Sequence, residues 1–285
     1  MARGAVSLER PVVVGILNVT PDSFSDGGRF LAPADAFRHA EVMVEAGADI
    51  LDVGAESTRP GVSSRLGVED EWARLEPILA RIVRRFPTLP VSVDTVNAET
   101  GRRALDLGVW ALNDVSGLRV DPAMADVCAE HGAGLVLVHS RGSLSEMATY
   151  EHATYGDVAG EVVAELESSA GVAAERGVDR GCLILDPGLG FAKRPAHNYA
   201  LLRGLFSLAA LGYPVMVGPS RKRFLGHIVG GDAAERDNAT AAACVAAYDQ
   251  GASLFRVHDV ARVREALQIA HAVRKPVCHS SNSDS

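Results

Sequence analysis

The sequence predicts an α/β fold, a single-domain (β/α)₈ (TIM) barrel, on three observations. Short apolar runs rich in β-branched residues recur along the chain, and a turn and a longer segment with helical spacing follow each of them. The runs are continuously apolar, as in parallel strands that are buried on both faces. Eight such units fit within 285 residues, and α/β barrels commonly form one domain at about that length.

The strands are predicted at VVVGIL (12–17), DILDV (49–53), VSVD (91–94), ALND (111–114), GLVLVH (134–139), CLILD (182–186), PVMVG (214–218) and SLFRVH (253–258). Between them, apolar residues repeat every three or four positions, and several of these segments end in glycine, as helix C-termini prefer. An open doubly wound sheet is the alternative, but the first strand is not followed by the glycine-rich turn with which such sheets bind nucleotides. The barrel is therefore favoured.

The predicted domain organisation is an N-terminal extension over 1–10, the barrel over 11–274 and a tail over 275–285. The tail, KPVCHSSNSDS, lacks periodicity and is predicted to be disordered. Residues 140–156 are predicted to form a long loop after the fifth strand.

Composition excludes several classes of partner and site. A net charge of -8 argues against a nucleic-acid-binding surface. The chain has neither a secretory h-region nor an apolar run long enough to span a membrane, so a cytoplasmic protein without a membrane partner is predicted. Four cysteines are scattered singly without a CxxC pair, which predicts reduced thiols rather than a zinc site or disulfides: Cys128, Cys182, Cys244 and Cys278.

Polar residues stand at the predicted strand ends. In a (β/α)₈ barrel the C-terminal ends of the strands converge on the mouth where chemistry occurs. The residues there are Asn18, Asp94, Asn113, His139, Asp186, Arg256 and His258, and SRKR (220–223) follows the seventh strand. A helix cap at Asp94 or a turn at Asp186 would explain either residue alone. Caps and turns do not require polar groups at so many successive strand ends, so the joint pattern predicts a site.

The predicted site has two poles of opposite character. One holds two carboxylates and an amide: Asp94, Asn113 and Asp186. Such groups accept the N–H donors on the edge of an amidine-like or guanidine-like heterocycle. The other pole suits phosphate and holds Arg59, Lys222, Arg256 and His258. A ligand with a hydrogen-bonding ring at one end and phosphates at the other would satisfy both poles.

Seven motifs, in order, match a known family: GILNVTPDSFSDGG, DVGAESTRPG, VSVDT, NDVSG, DPGLGFAK, GPSRKRFLG and FRVHDV. Over residues 11–273 the chain resembles the dihydropteroate synthases of folate biosynthesis. The resemblance implies a TIM barrel, usually a homodimer, that uses Mg²⁺. It also implies condensation of 6-hydroxymethyl-7,8-dihydropterin diphosphate with 4-aminobenzoate to give 7,8-dihydropteroate and diphosphate.

The resemblance assigns roles position by position. The pterin-binding set is Asp94, Asn113, Asp186, Phe191, Gly218 and Lys222. The diphosphate-binding set is Asn18, Arg59, Arg256 and His258, with Asn18 also at the Mg²⁺. The 4-aminobenzoate region, which sulfonamides exploit in this family, holds Phe24, Thr58 and Pro60. These three residues lie in the loops over 18–31 and 54–67, and the first loop is predicted to be a mobile lid.

The residues predict catalysis by positioning and electrostatics, with Asp94, Lys222 and Arg256 as the catalytic groups. Cationic side chains and Mg²⁺ can stabilise the departing diphosphate. No Ser/His/Asp or Cys/His nucleophile pattern is present, so no covalent enzyme intermediate is expected. Two positions depart from the family pattern: Ser140, where many relatives carry Met and a different pterin wall is expected, and Pro219, where small residues are frequent.

Two other functions stay open at this point. A pterin-dependent methyltransferase would share the barrel and the acceptor pole, but its substrate has no diphosphate for SRKR and RVHDV to bind. A non-catalytic pterin-binding paralogue would bind the ring without turnover.

Overall fold

The computed structural model describes residues 4–19, 33–55 and 66–274. Eight parallel strands run β1 (Val12–Asn18), β2 (Ile50–Gly54), β3 (Val91–Asp94), β4 (Ala111–Asp114), β5 (Gly134–Val138), β6 (Leu183–Asp186), β7 (Met216–Val217) and β8 (Leu254–Val257). The sheet order is β6-β5-β4-β3-β2-β1-β8-β7. A parallel bridge from Leu185 to Val215 joins its two outer strands, and the Leu185 N–H donates to the carbonyl of Pro214 at 3.0 Å. The strands therefore form a nearly closed barrel, and the predicted fold is confirmed.

Ten α-helices alternate with the strands in the described ranges: α1 (Pro33–Glu45), α2 (Val68–Arg85), α3 (Ala98–Leu107), α4 (Ala123–His131), α5 (Val158–Glu175), α6 (Pro195–Arg203), α7 (Leu205–Ala209), α8 (Arg223–Val229), α9 (Asp237–Asp249) and α10 (Val260–Arg274). Short 3₁₀ turns over 180–182 and 233–236 accompany them. The strands predicted at 91–94 and 111–114 match the structure. The seventh strand is shorter than predicted, and Pro214 before it has no N–H to donate to a ladder.

Side chains along each strand alternate between two separate cores. Val12, Val14 and Ile50 belong to a small apolar cluster inside the barrel, whereas Val13 and Leu51 belong to the large cluster that the helices cover. Because the period of a strand is two residues, this parity can be followed to the strand ends. It places one group of polar residues on the inner side: Asn18, Asp94, Asn113, Asp186, Arg256 and His258.

The helices pack their apolar faces on the outside of this sheet. In α2, Leu75, Ile78, Leu79 and Ile82 are fully buried at the spacing of one helix face. Acidic residues occupy its first turn and arginines its last, which suits the helix dipole. The outer layer therefore holds the strands in register while their inner side carries the polar groups.

The limits of the barrel can be compared with the predicted domain. The first strand begins at Val12 and the last helix ends at Arg274, while the predicted disordered tail lies outside the described residues. Cys128, Cys182 and Cys244 are free thiols. Over the described ranges, every helix is too short or too polar to cross a membrane.

Candidate active site

A cavity of about 500 Å³ opens at the C-terminal ends of the strands. Its polar and charged lining consists of Asn18, Asp94, Tyr150, Lys193, Asn198, Ser220, Arg221, Lys222, Arg223, Arg236, Arg256 and His258. Among these described residues, six are lysine or arginine and one is a carboxylate. A chain with a net charge of -8 thus concentrates positive charge in one concave place, as the binding of an anionic ligand requires.

Arg256 connects three strands across the cavity floor. Its Nε donates to Asp52 Oδ2 at 2.6 Å and its terminal nitrogen to Asp94 Oδ2 at 2.7 Å. Asp52 is fully buried and also accepts from the Ser92 hydroxyl at 2.5 Å. Burial lowers the pKa of Arg256, but Asp52 and Asp94 outweigh it and raise that pKa above its usual value. The guanidinium is therefore permanently charged and held in one orientation.

Asp94 is the carboxylate that faces the cavity. Burial raises its pKa to about 7, while the neighbouring Arg256 cation opposes that shift. Its Cα lies in register with that of Asn113 on the adjacent strand, so the two side chains share one level of the barrel. The sheet itself thus places two pterin-assigned residues side by side.

Asn113 supplies a buried acceptor that has no partner. Its Nδ2 donates to Asp52 Oδ2 at 3.2 Å, whereas its Oδ1 is buried without a hydrogen bond. A buried polar atom without a partner costs free energy unless a ligand or water satisfies it. The oxygen is suited to accept an N–H from a bound heterocycle.

Asp186 ends β6 and is buried behind the cavity lining. Burial raises its pKa, and the Lys222 cation and the Gly188 N–H oppose that shift. The Gly188 N–H donates to Asp186 Oδ1 at 2.7 Å. Gly188 has a φ of +66°, and a Cβ there would lie 1.8 Å from the His139 carbonyl oxygen. This turn therefore requires glycine, which explains DPGLG in the sequence.

Lys222 and Phe191 form a packed pair on the cavity wall. The Lys222 ammonium lies 4.0 Å from the centre of the Phe191 ring and donates to the Leu189 carbonyl. Burial lowers the pKa of Lys222 to about 8, while Asp186 opposes that shift. The side chain of Lys222 passes so close to Gly190 that a Cβ there would lie 2.8 Å from its Cδ.

His258 and Ser220 hold each other at the opposite wall. The Ser220 hydroxyl lies 2.8 Å from His258 Nδ1 and accepts from the His258 N–H at 3.1 Å. Next to it, Arg221 has a φ of +59° and forms an ion pair with Asp237 through two bonds of 2.7 and 2.8 Å. This strained turn presents the following lysine to the cavity.

Two residues lie elsewhere than the sequence suggested. His139 was expected among the polar groups that converge on the mouth, but it has the outward parity of β5 and its Nε2 contacts Glu165 of α5 at 3.0 Å. Ser140 was expected in the pterin wall, but its hydroxyl donates to the Val115 carbonyl and accepts from Arg119. Neither residue lines the large cavity.

The remaining predicted residues divide into two groups. Asn18, Phe191 and Gly218 line the cavity together with Lys222, Arg256 and His258. Phe24, Thr58, Arg59 and Pro60 lie outside the described residues.

The sequence reasoning missed three partners: Asp52, Lys193 and Ser220. Asp52 and Arg256 are charges inside apolar strands, and such a charge requires a partner. In a closed barrel β1 lies between β2 and β8, so this pairing could have been inferred. Lys193 and Ser220 stand in the quoted motifs, but only the folded loop brings them to their histidines.

Comparison with known proteins gives this geometry a family. The family model described as "Pterin binding enzyme" matches residues 14–258. The dihydropteroate synthase of Mycobacterium leprae (strain TN) is 46% identical over 273 residues, which cover 94% of this chain and 95% of that one. The chain belongs to the dihydropteroate synthase family.

Solved structures agree with this assignment. A Xanthomonas albilineans dihydropteroate synthase with 4-aminobenzoic acid is 41% identical, with a TM-score of 0.88 over 95% of each chain. A Yersinia pestis dihydropteroate synthase in a sulfonamide drug complex is 36% identical, with a TM-score of 0.89 over 96% of this chain and 98% of that one. Dihydropteroate synthases are transferases, and the matches favour this enzyme class over the methyltransferase and over a non-catalytic paralogue.

Proposed function

We propose that this chain condenses 6-hydroxymethyl-7,8-dihydropterin diphosphate with 4-aminobenzoate to give 7,8-dihydropteroate and diphosphate. The observation that carries the proposal is the division of one cavity into a buried acceptor pole and a cationic wall. A substrate with an N–H-rich ring at one end and two phosphates at the other matches that division.

The ring is bound by the acceptor pole. Asn113 Oδ1 is free to accept an N–H, and Asp94 and Asp186 lie at the ends of nearby strands. Phe191, whose ring already contacts Lys222, offers the ring an apolar face. The ionised form of Asp94 would also favour positive charge on the methylene carbon as the diphosphate departs.

The diphosphate is bound by the cationic wall. Lys222, Arg256 and His258 all line the cavity, and preorganised donors stabilise charge that develops on a leaving group. The family resemblance adds Arg59 to this set.

Magnesium fits the same end of the cavity at Asn18. The Asn18 side chain lies at the end of β1 and lines the cavity, and its amide oxygen is a hard ligand of the kind that Mg²⁺ takes together with substrate phosphates and waters. Bound Mg²⁺ would supply neutralisation of the diphosphate charge.

The second substrate is assigned by resemblance. Phe24, Thr58 and Pro60 enclose 4-aminobenzoate in this proposal, and the first loop acts as a lid that orders over it. The 4-aminobenzoic acid and sulfonamide complexes of the relatives support binding of both ligands by this chain.

In the reaction, the amine nitrogen of 4-aminobenzoate bonds to the pterin methylene carbon while the C–O bond to diphosphate breaks. The electron pair of that bond leaves with diphosphate, and the amine loses one proton to water or to diphosphate. An arylamine is neutral near pH 7, so the enzyme need not supply a strong base. Asp94, Lys222 and Arg256 act by position and charge, and no covalent bond to the enzyme forms.

We also infer a homodimer and a cytoplasmic location, which rest on the resemblance and on the composition. Exposed apolar side chains at Ile228, Val229, Ile269 and Val273 offer surface for association. Light scattering of the purified protein should give twice the mass of the chain, and a monomer mass at micromolar concentration would refute the dimer.

One assay tests the function. The purified protein is incubated with the pterin diphosphate, 4-aminobenzoate and Mg²⁺, and 7,8-dihydropteroate is measured. We expect product, and inhibition by a sulfonamide that competes with 4-aminobenzoate. Pterin binding without product would instead support the non-catalytic paralogue.

A further inference from the structure

Lys193 is a buried cation at the boundary between the cavity and the helical layer. It is 1% exposed and is one of the largest fully buried side chains in the described ranges. It also belongs to the cavity lining. An ammonium is expensive to bury unless its protons are bonded, so its surroundings indicate its purpose.

Three acceptors converge on the Lys193 ammonium. Its Nζ lies 2.8 Å from His139 Nδ1, 3.0 Å from the Phe191 carbonyl and 3.4 Å from the His139 carbonyl. A charged lysine has three N–H donors, whereas a neutral amine has two. Burial and the nearby Lys222 cation lower the pKa of Lys193 well below its usual value, while Asp186 opposes that shift. The three acceptors offset this cost for the charged form.

Glu165 determines which nitrogen of His139 accepts. Its carboxylate lies 3.0 Å from His139 Nε2, so Nε2 carries the proton and Nδ1 is left to accept from Lys193. Burial lowers the pKa of His139 to about 4, and the hydrogen bond from His139 is the largest cause that lowers the pKa of Glu165 to about 2. Arg141 also bonds Glu165, on the outer side. The neutral imidazole thus passes an orientation from α5 to Lys193.

The segment held by Lys193 carries the cavity wall. Lys193 bonds the carbonyl of Phe191, and the Leu189 carbonyl accepts from Lys222. Between them, Ala192 has a φ of +46°, and its N–H donates to the Met147 carbonyl at 2.5 Å. A non-glycine residue in that region is strained and must be held by its surroundings. The Lys193 ammonium supplies one of the bonds that hold this loop.

We propose that Lys193 is a positioning residue for the pterin wall, held by His139 and Glu165, and that it fixes Phe191 and, through the Leu189 carbonyl, Lys222. The role rests on the proposed function, since the wall is assigned to the pterin by that reading. Lys193 contacts protein groups alone in this role, and the reacting atoms are left to Asp94, Lys222 and Arg256.

The first test replaces Lys193 by Met, which keeps the length and removes the charge. We expect the Kd for the pterin, measured by calorimetry with 6-hydroxymethylpterin, and the KM of the pterin diphosphate to rise by about tenfold or more, as when a group that orients a ligand contact is lost. The KM of the arylamine substrate should change by less than about twofold, because the loops assigned to that substrate are elsewhere. Equal loss for both substrates, or no loss for either, would overturn the proposal.

The second test does not require a buried substitution. Glu165→Ala and Glu161→Ala each remove a carboxylate that pairs with Arg141 on α5, but Glu165 is the one of the two that bonds His139. Without Glu165 the His139 proton is free to move to Nδ1 and oppose Lys193. We expect a several-fold rise in pterin Kd for Glu165→Ala and none for Glu161→Ala, with far-ultraviolet circular dichroism unchanged in both.

The two variants keep the inference testable even if Lys193→Met does not fold. Identical pterin affinity in Glu165→Ala and Glu161→Ala would refute the positioning chain. Wild-type protein that binds 6-hydroxymethylpterin but makes no product would refute the proposed synthase reaction while leaving the pterin wall testable by these same titrations.

Discussion

The two poles of the cavity are built differently. Asp94 and Asp186 are the last residues of their strands and Asn113 is the next to last in its strand, so sheet register fixes them. Lys222 and Arg223 follow a two-residue strand and start a helix. Ring recognition therefore rests on atoms with little freedom, whereas the diphosphate meets longer side chains that can follow a departing group.

Arg256 belongs to both poles. It lies in β8 and bonds Asp94 of the acceptor pole directly, yet it is also a cation of the opposite wall. Its second partner, Asp52, keeps the charge balanced at the centre of the barrel. The comparison teaches that the poles are linked through one guanidinium, so each substitution below should separate them or break both.

Arg256→Met should have the largest effect because it breaks both poles. Loss of a preorganised donor to the leaving group predicts a fall in kcat/KM of about 10²- to 10³-fold. Breaking the buried pair should also cost about 3–5 kcal/mol in the free energy of unfolding, measured by urea denaturation. As a control, Arg176→Met removes an exposed ion pair and should cost at most about 1 kcal/mol. Turnover that survives in Arg256→Met would contradict the link.

Asp94→Asn should break the acceptor pole alone. The amide keeps the size but loses the charge, and we expect kcat/KM for the pterin diphosphate to fall by about 100-fold at pH 8. In the wild type, burial raises the pKa of Asp94 to about 7. The ionised fraction falls as pH drops below that value, so kcat/KM should fall there too. The variant should lack this acid limb, and an unchanged limb would assign it to another group.

Lys222→Arg should sharpen the role of the donor pole. Burial lowers the pKa of Lys222 to about 8, so the wild type should lose positive charge, and with it kcat/KM, as pH rises through that value. An arginine remains charged throughout this range, so the alkaline limb should disappear even though the absolute rate is lower. If the limb persists at the same pH in the variant, Lys222 is not its source.

Ser220→Ala should have the smallest effect. It removes the partner of His258 Nδ1, so the imidazole loses orientation but not its place. A rise in the KM of the pterin diphosphate of several-fold is expected, which corresponds to about 1 kcal/mol for one hydrogen bond. Steady-state kinetics measures it, and a larger effect on 4-aminobenzoate would place His258 differently.

The fold was predictable because it depends on local patterns. Apolar runs and helical spacing recur in every unit, and most strand bounds agree with the structure to within one or two residues. The polar strand ends Asp94, Asn113 and Asp186 were likewise found, since a closed barrel brings the C-terminal ends of its strands together.

Contacts between distant segments were not predictable in the same way. Asp52 and Arg256 are 204 residues apart, and the charged residue in each strand suggests a partner without naming it. The outward direction of His139 depends on where the parity of β5 begins, and a shift of one residue reverses it. The positioning role of Lys193 depends on a loop conformation that no local pattern indicates.

The division of the cavity into two poles can be measured directly by calorimetry with the separate halves of the substrate. The account predicts that Asn113→Ala weakens 6-hydroxymethylpterin by about tenfold, through the loss of a buried acceptor, and leaves Mg²⁺-diphosphate unchanged. His258→Ala should weaken Mg²⁺-diphosphate and leave the pterin unchanged. If either variant weakens both ligands equally, the two poles do not exist as described.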